Sequence, residues 1–397
     1  MLALVGNVAL ARMLTPADFG IVAFGMALVI LATLLSDGGL GVGLIRRPEP
    51  PEREDLRGLM ALQLLLTTLL GGVVAAVGIP LGRGGQITAL MMPALPLMAA
   101  RAPGMIMLER QLQFRPVVAV EVSEVLAYYA WGAGTVALGL GVWGLASAAI
   151  VKALVGTLLL LRLAPVGLVR PLFSWSRIRS LLAFGARYQA VLLVNVFREQ
   201  GLNIGTAAIA SVATLGLWTL ASRILQAPFL LFESLWRVSY PAMAQLMAAG
   251  ENARPIIDRG VRLAAVVTGV VLTPLVGAAP ALVPALFGAR WAPVSELFPF
   301  ACLGLQISGP ISATTAGYLF AVGDASTVLR TTTLYSLAWV AVALSLLPVI
   351  GLVSLAVGWL VATLVESVLL SRAVHARAGV RVLPAVAVPA AVAVPAA

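Results

Sequence analysis

The chain has one cysteine, one histidine and one lysine in 397 residues. Cys302 alone cannot form an intrachain disulfide, and it offers no cysteine cluster to a metal. His375 stands in a polar stretch near the C-terminus, with no second imidazole for a metal and no nearby partners for a histidine-based triad. Charge is scarce: Asp, Glu, Lys and Arg make up 11% of the chain, against about a quarter of a soluble domain. Long polar breaks are also missing. The largest surrounds Arg162–Ser180 and cannot hold a soluble domain. No basic leader precedes the first apolar segment, so no cleavable signal peptide is expected.

What is abundant is apolar: 61% of the residues, against about 45–50% in soluble proteins. A globule of this length cannot cover that much apolar surface with polar atoms. Lipid removes the need, and the apolar residues fall in runs of about 20, the length that crosses a bilayer. The runs are Met1–Leu14, Phe19–Leu44, Leu59–Ile79, Ile87–Met107, Val117–Leu140 and Leu145–Leu161, then Leu181–Ile204, Val212–Met243, Val261–Leu286, Val294–Phe320, Thr331–Val349 and Leu352–Leu370. The expected class is an all-α integral membrane protein of about twelve transmembrane helices, the first of them short. The Ala/Val/Pro-rich end from Leu383 to Ala397 reads as a cytoplasmic tail or the stub of a further helix.

Orientation follows from arginine. Alternate breaks carry Arg46, Arg47, Arg53 and Arg57, then Arg110 and Arg115, then Arg162 to Arg179, Arg254 to Arg262, Arg330, and Arg372 to Arg381. The opposite set carries only Arg12, Arg83 and Arg290. The positive-inside rule places the first set, and with it the tail, in the cytoplasm. The net charge of +10 is thus read as topology, not as a nucleic-acid surface.

Thr15-Pro16-Ala17-Asp18 reads as a capping box opening the second helix. The halves also rhyme. Gly141-Val142-Trp143-Gly144 precedes the sixth helix and Gly351-Leu352-Val353-Ser354 the twelfth; Phe19-Gly20-Ile21 and Leu215-Gly216-Leu217 stand in the second and eighth. Each pair is six helices apart, which suits two copies in the same orientation. The expected bundles are 1–161 and 181–370, joined by an amphipathic connector at 162–180 and followed by the tail 371–397.

Leu10-Ala11-Arg12-Met13-Leu14-Thr15-Pro16-Ala17-Asp18-Phe19-Gly20 resembles the first periplasmic turn of the Wzx-type polysaccharide flippases, in the multidrug/oligosaccharidyl-lipid/polysaccharide exporter superfamily. Ser36-Asp37-Gly38-Gly39-Leu40, Glu109-Arg110-Gln111-Leu112-Gln113-Phe114-Arg115-Pro116 and Leu286-Phe287-Gly288-Ala289-Arg290-Trp291-Ala292-Pro293 resemble later segments of that family, in order. The resemblance implies two pseudo-symmetric six-helix bundles around a central cavity, as in MATE-like transporters, with a truncated first helix. It implies alternating access and a lipid-diphosphate-linked oligosaccharide as cargo, carried across a bacterial inner membrane for surface polysaccharide. Implied partners are that cargo, membrane lipids and other polysaccharide assembly proteins, with no nucleic acid and no resident cofactor.

Charges inside spans carry the functional expectation, because a charge at the bilayer centre costs about 2.5–3.5 kcal/mol or more and faces a cavity or a partner. The candidates for substrate contact are Arg101, Lys152, Arg187, Arg198, Arg223 and Arg237. Arg187 and Arg198 are eleven residues apart, which returns them to one helix face about 16 Å apart. Arg223 and Arg237, fourteen apart, behave alike. Arginine suits a diphosphate through its fork of donors. Asp37, Glu199 and Glu233 are candidates for coupling to H+ or Na+. Glu121 and Glu124 are read as charges near the start of the fifth helix, stabilised by its dipole. The competing functions are a multidrug or small-metabolite exporter of the same superfamily, and a membrane glycan polymerase or ligase. The polymerase or ligase needs a large external loop that this pattern lacks.

The topology has a direct check. With Cys302→Ser as background, single cysteines at Arg53 and His375 are expected to resist an impermeant thiol reagent added to intact cells. Labelling of either from outside reverses the orientation.

Overall fold

The computed structural model describes residues 2–38, 40–46, 51–164, 166–167, 169–173, 179, 190–226, 228, 254–322, 324–380 and 382. Among these residues there is no strand. Each of the twelve expected segments contains a helix. The chain divides into two compact units, Met1–Ile204 and Gly205–Ala397.

The first unit holds α1 (Leu2–Met13), α2 (Pro16–Asp37), α3 (Leu40–Arg46), α4 (Arg53–Gly78), α5 (Arg83–Met91), α6 (Ala94–Arg110), α7 (Phe114–Thr135) and α8 (Val142–Leu163). Then follows α9 (Ala190–Ile209), which continues into the second unit. The second unit continues with α10 (212–226), α11 (Arg254–Phe287), α12 (Phe298–Ala321), α13 (Ala325–Ile350) and α14 (Val353–Ala378). Among the described residues, eight helical spans are long and apolar enough to cross a membrane: Pro16–Asp37, Arg53–Leu81, Arg83–Arg110 and Val142–Leu163 in the first unit, and Ile257–Phe287, Ala289–Ser312, Ser326–Ile350 and Val353–Ala378 in the second. The others are short, like α1, or carry charge, like α7 with Glu121 and Glu124.

The capping box at Thr15 forms as the sequence requires. The Thr15 hydroxyl accepts from Asp18 N at 3.2 Å, and Asp18 Oδ2 accepts from Thr15 N at 3.1 Å. At the head of α10, Ser211 Oγ accepts from Thr214 N at 3.1 Å in the same way. The second rhyme is equally local. Gly141 has φ 55 and ψ −133, and Gly351 has φ 59 and ψ −140. Side chains rarely adopt that region, so glycine is the residue each turn needs. The expected second span is broken: Gly38 ends α2 in the left-handed region at φ 54, and α3 starts two residues later. Residues 174–178 and 180–189, in and beyond the expected connector, lie outside the described residues.

In the second unit Val380 and Val382 follow α14 and are buried against Ile257 and Val261 of α11, Tyr318 and Leu319 of α12, and Val374 of α14. Nearby, Asp324 caps α13. It accepts from Thr327 Oγ1 at 2.7 Å, Ser326 Oγ at 2.9 Å and Thr327 N at 3.2 Å, and it pairs with Arg377 of α14. The Thr327 hydroxyl, then that of Ser326, and the Arg377 charge hold its carboxyl down to about 2. A depressed folded pKa contributes stability above the unfolded value, near 4, and that contribution is lost as pH falls through about 2. Asp324→Asn keeps the cap and removes the charge. Its thermal midpoint in detergent is expected below wild type at pH 7, the gap closing towards pH 2. A gap that stays constant with pH would contradict a role for the charge.

Candidate functional site

The first unit holds an open-sided cavity of about 430 Å³. Its wall is mostly apolar: Met26, Val29, Ile30 and Leu34 of α2, Met98 of α6, and Val196 of α9. Four charged side chains reach it: Asp37 at the end of α2, Arg101 on α6, Glu124 on α7 and Lys152 on α8. Each helix brings its charge in by periodicity. On α2, Ile30, Thr33, Leu34 and Asp37 recur every three or four residues and share one face.

The charges are organised. Asp37 Oδ1 accepts from Gln63 Nε2 of α4 at 2.9 Å and from Gly41 N of α3 at 3.2 Å. The carboxylate therefore joins three helices at the break that Gly38 makes. Arg101 pairs with Glu124 through Nη1 and Oε1, and the two side chains are only 14% and 8% exposed. A lone charge so enclosed would be costly, and the pair offsets that cost. The pair stands against α8 where Gly156 has no side chain: a Cβ there would run into the Glu124 carboxylate and the Arg101 guanidinium. Lys152 is one turn earlier on the same face of α8. Thr157 Oγ1 donates to Leu97 O at 2.8 Å, a further tie from α8 to α6. Two basic and two acidic groups leave the cavity balanced in formal charge.

Of the residues singled out in the sequence, Asp37, Arg101 and Lys152 come together here. Arg198 lies partly buried on α9, its Nη1 donating to Asn195 Oδ1 at 2.8 Å; the adjacent Glu199 is exposed. Arg223 is partly buried on α10, in the second unit. Arg187, Arg237 and Glu233 lie outside the described residues. Glu124 corrects its expected role. Helix α7 starts at Phe114, which puts Glu124 almost three turns inside, beyond the reach of the dipole, and its partner is Arg101. The missed signal was an acid and a base at similar depth in successive spans. Gln63 and Gly156 gave none.

Residues 9–296 match the family described as polysaccharide biosynthesis protein. The chain belongs to this family. Two relatives are similar across most of it. One is the succinoglycan biosynthesis transport protein ExoT of Rhizobium meliloti (strain 1021), 26% identical over 79% of this chain and 65% of that one. The other is the lipopolysaccharide biosynthesis protein WzxC of Escherichia coli (strain K12), 25% identical over 79% of this chain and 65% of that one. The chain thus spans about 65% of the length of these relatives. Among solved structures it resembles the lipid II flippase MurJ, with TM-score 0.78 and 14% identity over 94% of this chain and 85% of that one. It also resembles an inward-facing multidrug resistance MATE family transporter of the MOP superfamily, with TM-score 0.69 and 15% identity over 95% and 94% of the two chains. At such identities the likeness is one of fold: this is an all-α membrane protein with a MATE-like architecture.

The seat of the ion pair is testable by adding one methyl group. Gly156→Ala is expected to push aside the ends of the Glu124 and Arg101 side chains and so to lower the thermal midpoint in detergent. Gly72→Ala on α4, where a Cβ meets nothing within 4 Å, is the control and should be neutral or slightly stabilising. Equal thermal midpoints for the two variants would contradict the close seat.

Proposed function

We propose that the chain is a flippase that moves an anionic lipid-diphosphate-linked oligosaccharide from the cytoplasmic to the outer leaflet of a bacterial inner membrane, by alternating access, for surface polysaccharide. The observation that carries this reading is a mostly apolar cavity in which Arg101 and Lys152 stand beside Asp37 and Glu124, inside a membrane bundle of the polysaccharide biosynthesis family. An apolar wall with cationic groups suits a ligand that is both lipid and anion. The transport and lipopolysaccharide roles named for the two relatives support it. Arg187, Arg198, Arg223 and Arg237 are proposed as further cationic contacts for the cargo. Asp37, Glu199 and Glu233 are proposed as groups that couple movement to H+ or Na+. The division into bundles 1–161 and 181–370 about the connector 162–180 belongs to the same proposal; the matched turns at Gly141 and Gly351 support it, while residues 190–204 pack with the first compact unit and α14 runs on to Ala378. The tail is placed in the cytoplasm.

Complementation of a flippase-null strain tests the cationic contacts, with surface glycan measured against protein level in the membrane. Each charge-assisted phosphate contact contributes about 1.5–3 kcal/mol. Arg198→Gln and Arg223→Gln are therefore expected to lower glycan output about tenfold or more at normal abundance. Arg→Lys at these positions should retain part of the function if the field matters, and little if the fork does. Near-wild-type glycan from both Gln variants would refute the contacts.

A further inference from the structure

Arg101 faces two demands. When the cavity holds no anion, a guanidinium this enclosed needs a counter-ion. When an anionic ligand arrives, the same guanidinium must be free to meet it. Glu124 meets the first demand, and the geometry shows how the second can be met. The pair lies at the wall of the cavity, not behind it, since both residues line the space. The carboxylate is backed by a glycine rather than clamped by a side chain, and Lys152 stands one turn away on the same helix.

We propose that Glu124 is a built-in counter-ion that occupies Arg101 in the ligand-free cavity and yields it to the diphosphate of an organic ligand, with Lys152 as the second cationic contact. The inference rests on the proposed function and narrows it to a site within the first unit. A diphosphate carries more charge and more acceptor oxygens than one carboxylate, and it can engage Arg101 and Lys152 together. A small monoanion cannot do both and does not displace Glu124. Glu124 is thus a specificity-determining residue: it sets the strength of anion that opens the site. The other charged groups around the pair are Asp37, held by Gln63 and Gly41, and Glu121, exposed one turn back on α7. The volume of about 430 Å³ suits a diphosphate with the first part of an apolar chain, not a whole lipid-linked oligosaccharide.

The single lysine of the chain supplies the readout. The full chain, purified in detergent, is reductively methylated with formaldehyde and cyanoborohydride in the presence of farnesyl diphosphate. Modification of the peptide bearing Lys152 is followed by mass spectrometry, which separates it from the N-terminal amine. Wild type is expected to show protection that farnesol does not give. Glu124→Gln keeps the shape of the side chain and releases Arg101, so half-protection should fall to about a tenth of the wild-type concentration. Arg101→Gln should raise it about tenfold. In the Arg101→Gln background, Glu124→Gln should change it less than about threefold, because the two residues act through each other.

Half-protection in Glu124→Gln at or above the wild-type concentration would overturn the proposal. So would a tenfold gain that survives in the Arg101→Gln background, or equal protection by farnesol. If no variant is protected by the diphosphate while the wild-type chain restores surface glycan in the flippase-null strain, this site is refuted and the proposed function stands. If glycan is not restored while Lys152 shows the predicted pattern, the transport reading fails and the anion site remains.

Discussion

Inside hydrocarbon no water is at hand for a backbone amide, a hydroxyl, a carboxylate or a guanidinium, and one left without a partner within the chain is costly. That constraint shapes every level of this molecule. It makes the spans helical, since a helix satisfies its own backbone. It turns hydroxyls back onto their own helices: Ser36 donates to Ala32 O, Thr67 to Gln63 O, Thr268 to Ala264 O and Thr315 to Ile311 O. It also decides where charge can stand. Arg101 meets Glu124, and Asp37 gathers donors from Gln63 and Gly41.

Small residues follow from the same constraint. With lipid as apolar as leucine, helices gain by close approach more than by exclusion from water. Gly358 of α14 lies against Ala343 of α13, and Gly78 of α4 against Gly85 of α5. Gly156 belongs to this set and does something further, because the space it leaves holds an ion pair instead of a neighbouring backbone. A packing device used throughout the bundle thereby becomes part of a polar site. The cavity that results joins an apolar wall to balanced charge, a combination suited to a ligand that must be desolvated at both ends.

Much of this was legible in the sequence. The runs of apolar residues marked each helical segment, because length and hydropathy are properties of one segment at a time. The Thr15 cap and the turns at Gly141 and Gly351 were legible for the same reason: their partners lie within four residues. The break after Asp37 was not, since the residues that hold it there include Gln63 on another helix. Glu124 was misread because its meaning depends on α6 lying beside α7, and on α8 carrying a glycine where the pair sits. Arg101 and Lys152 stood out in the sequence as charges within apolar spans, and both line the cavity. That their positive charge is balanced by Asp37 and Glu124 is a tertiary fact.

The proposed activity is movement of an anionic lipid from one leaflet to the other. Reconstitution tests it most directly. The purified chain is placed in proteoliposomes with a fluorescent polyprenyl-diphosphate-linked sugar, and the fraction quenched by a membrane-impermeant reductant is followed. Nearly all the label is expected to become quenchable with the protein present and only the outer-leaflet share in empty liposomes, and a neutral polyprenyl glycoside is expected to move far more slowly. Quenching that stops at the outer-leaflet share despite folded protein, or equal movement of the neutral lipid, would contradict it.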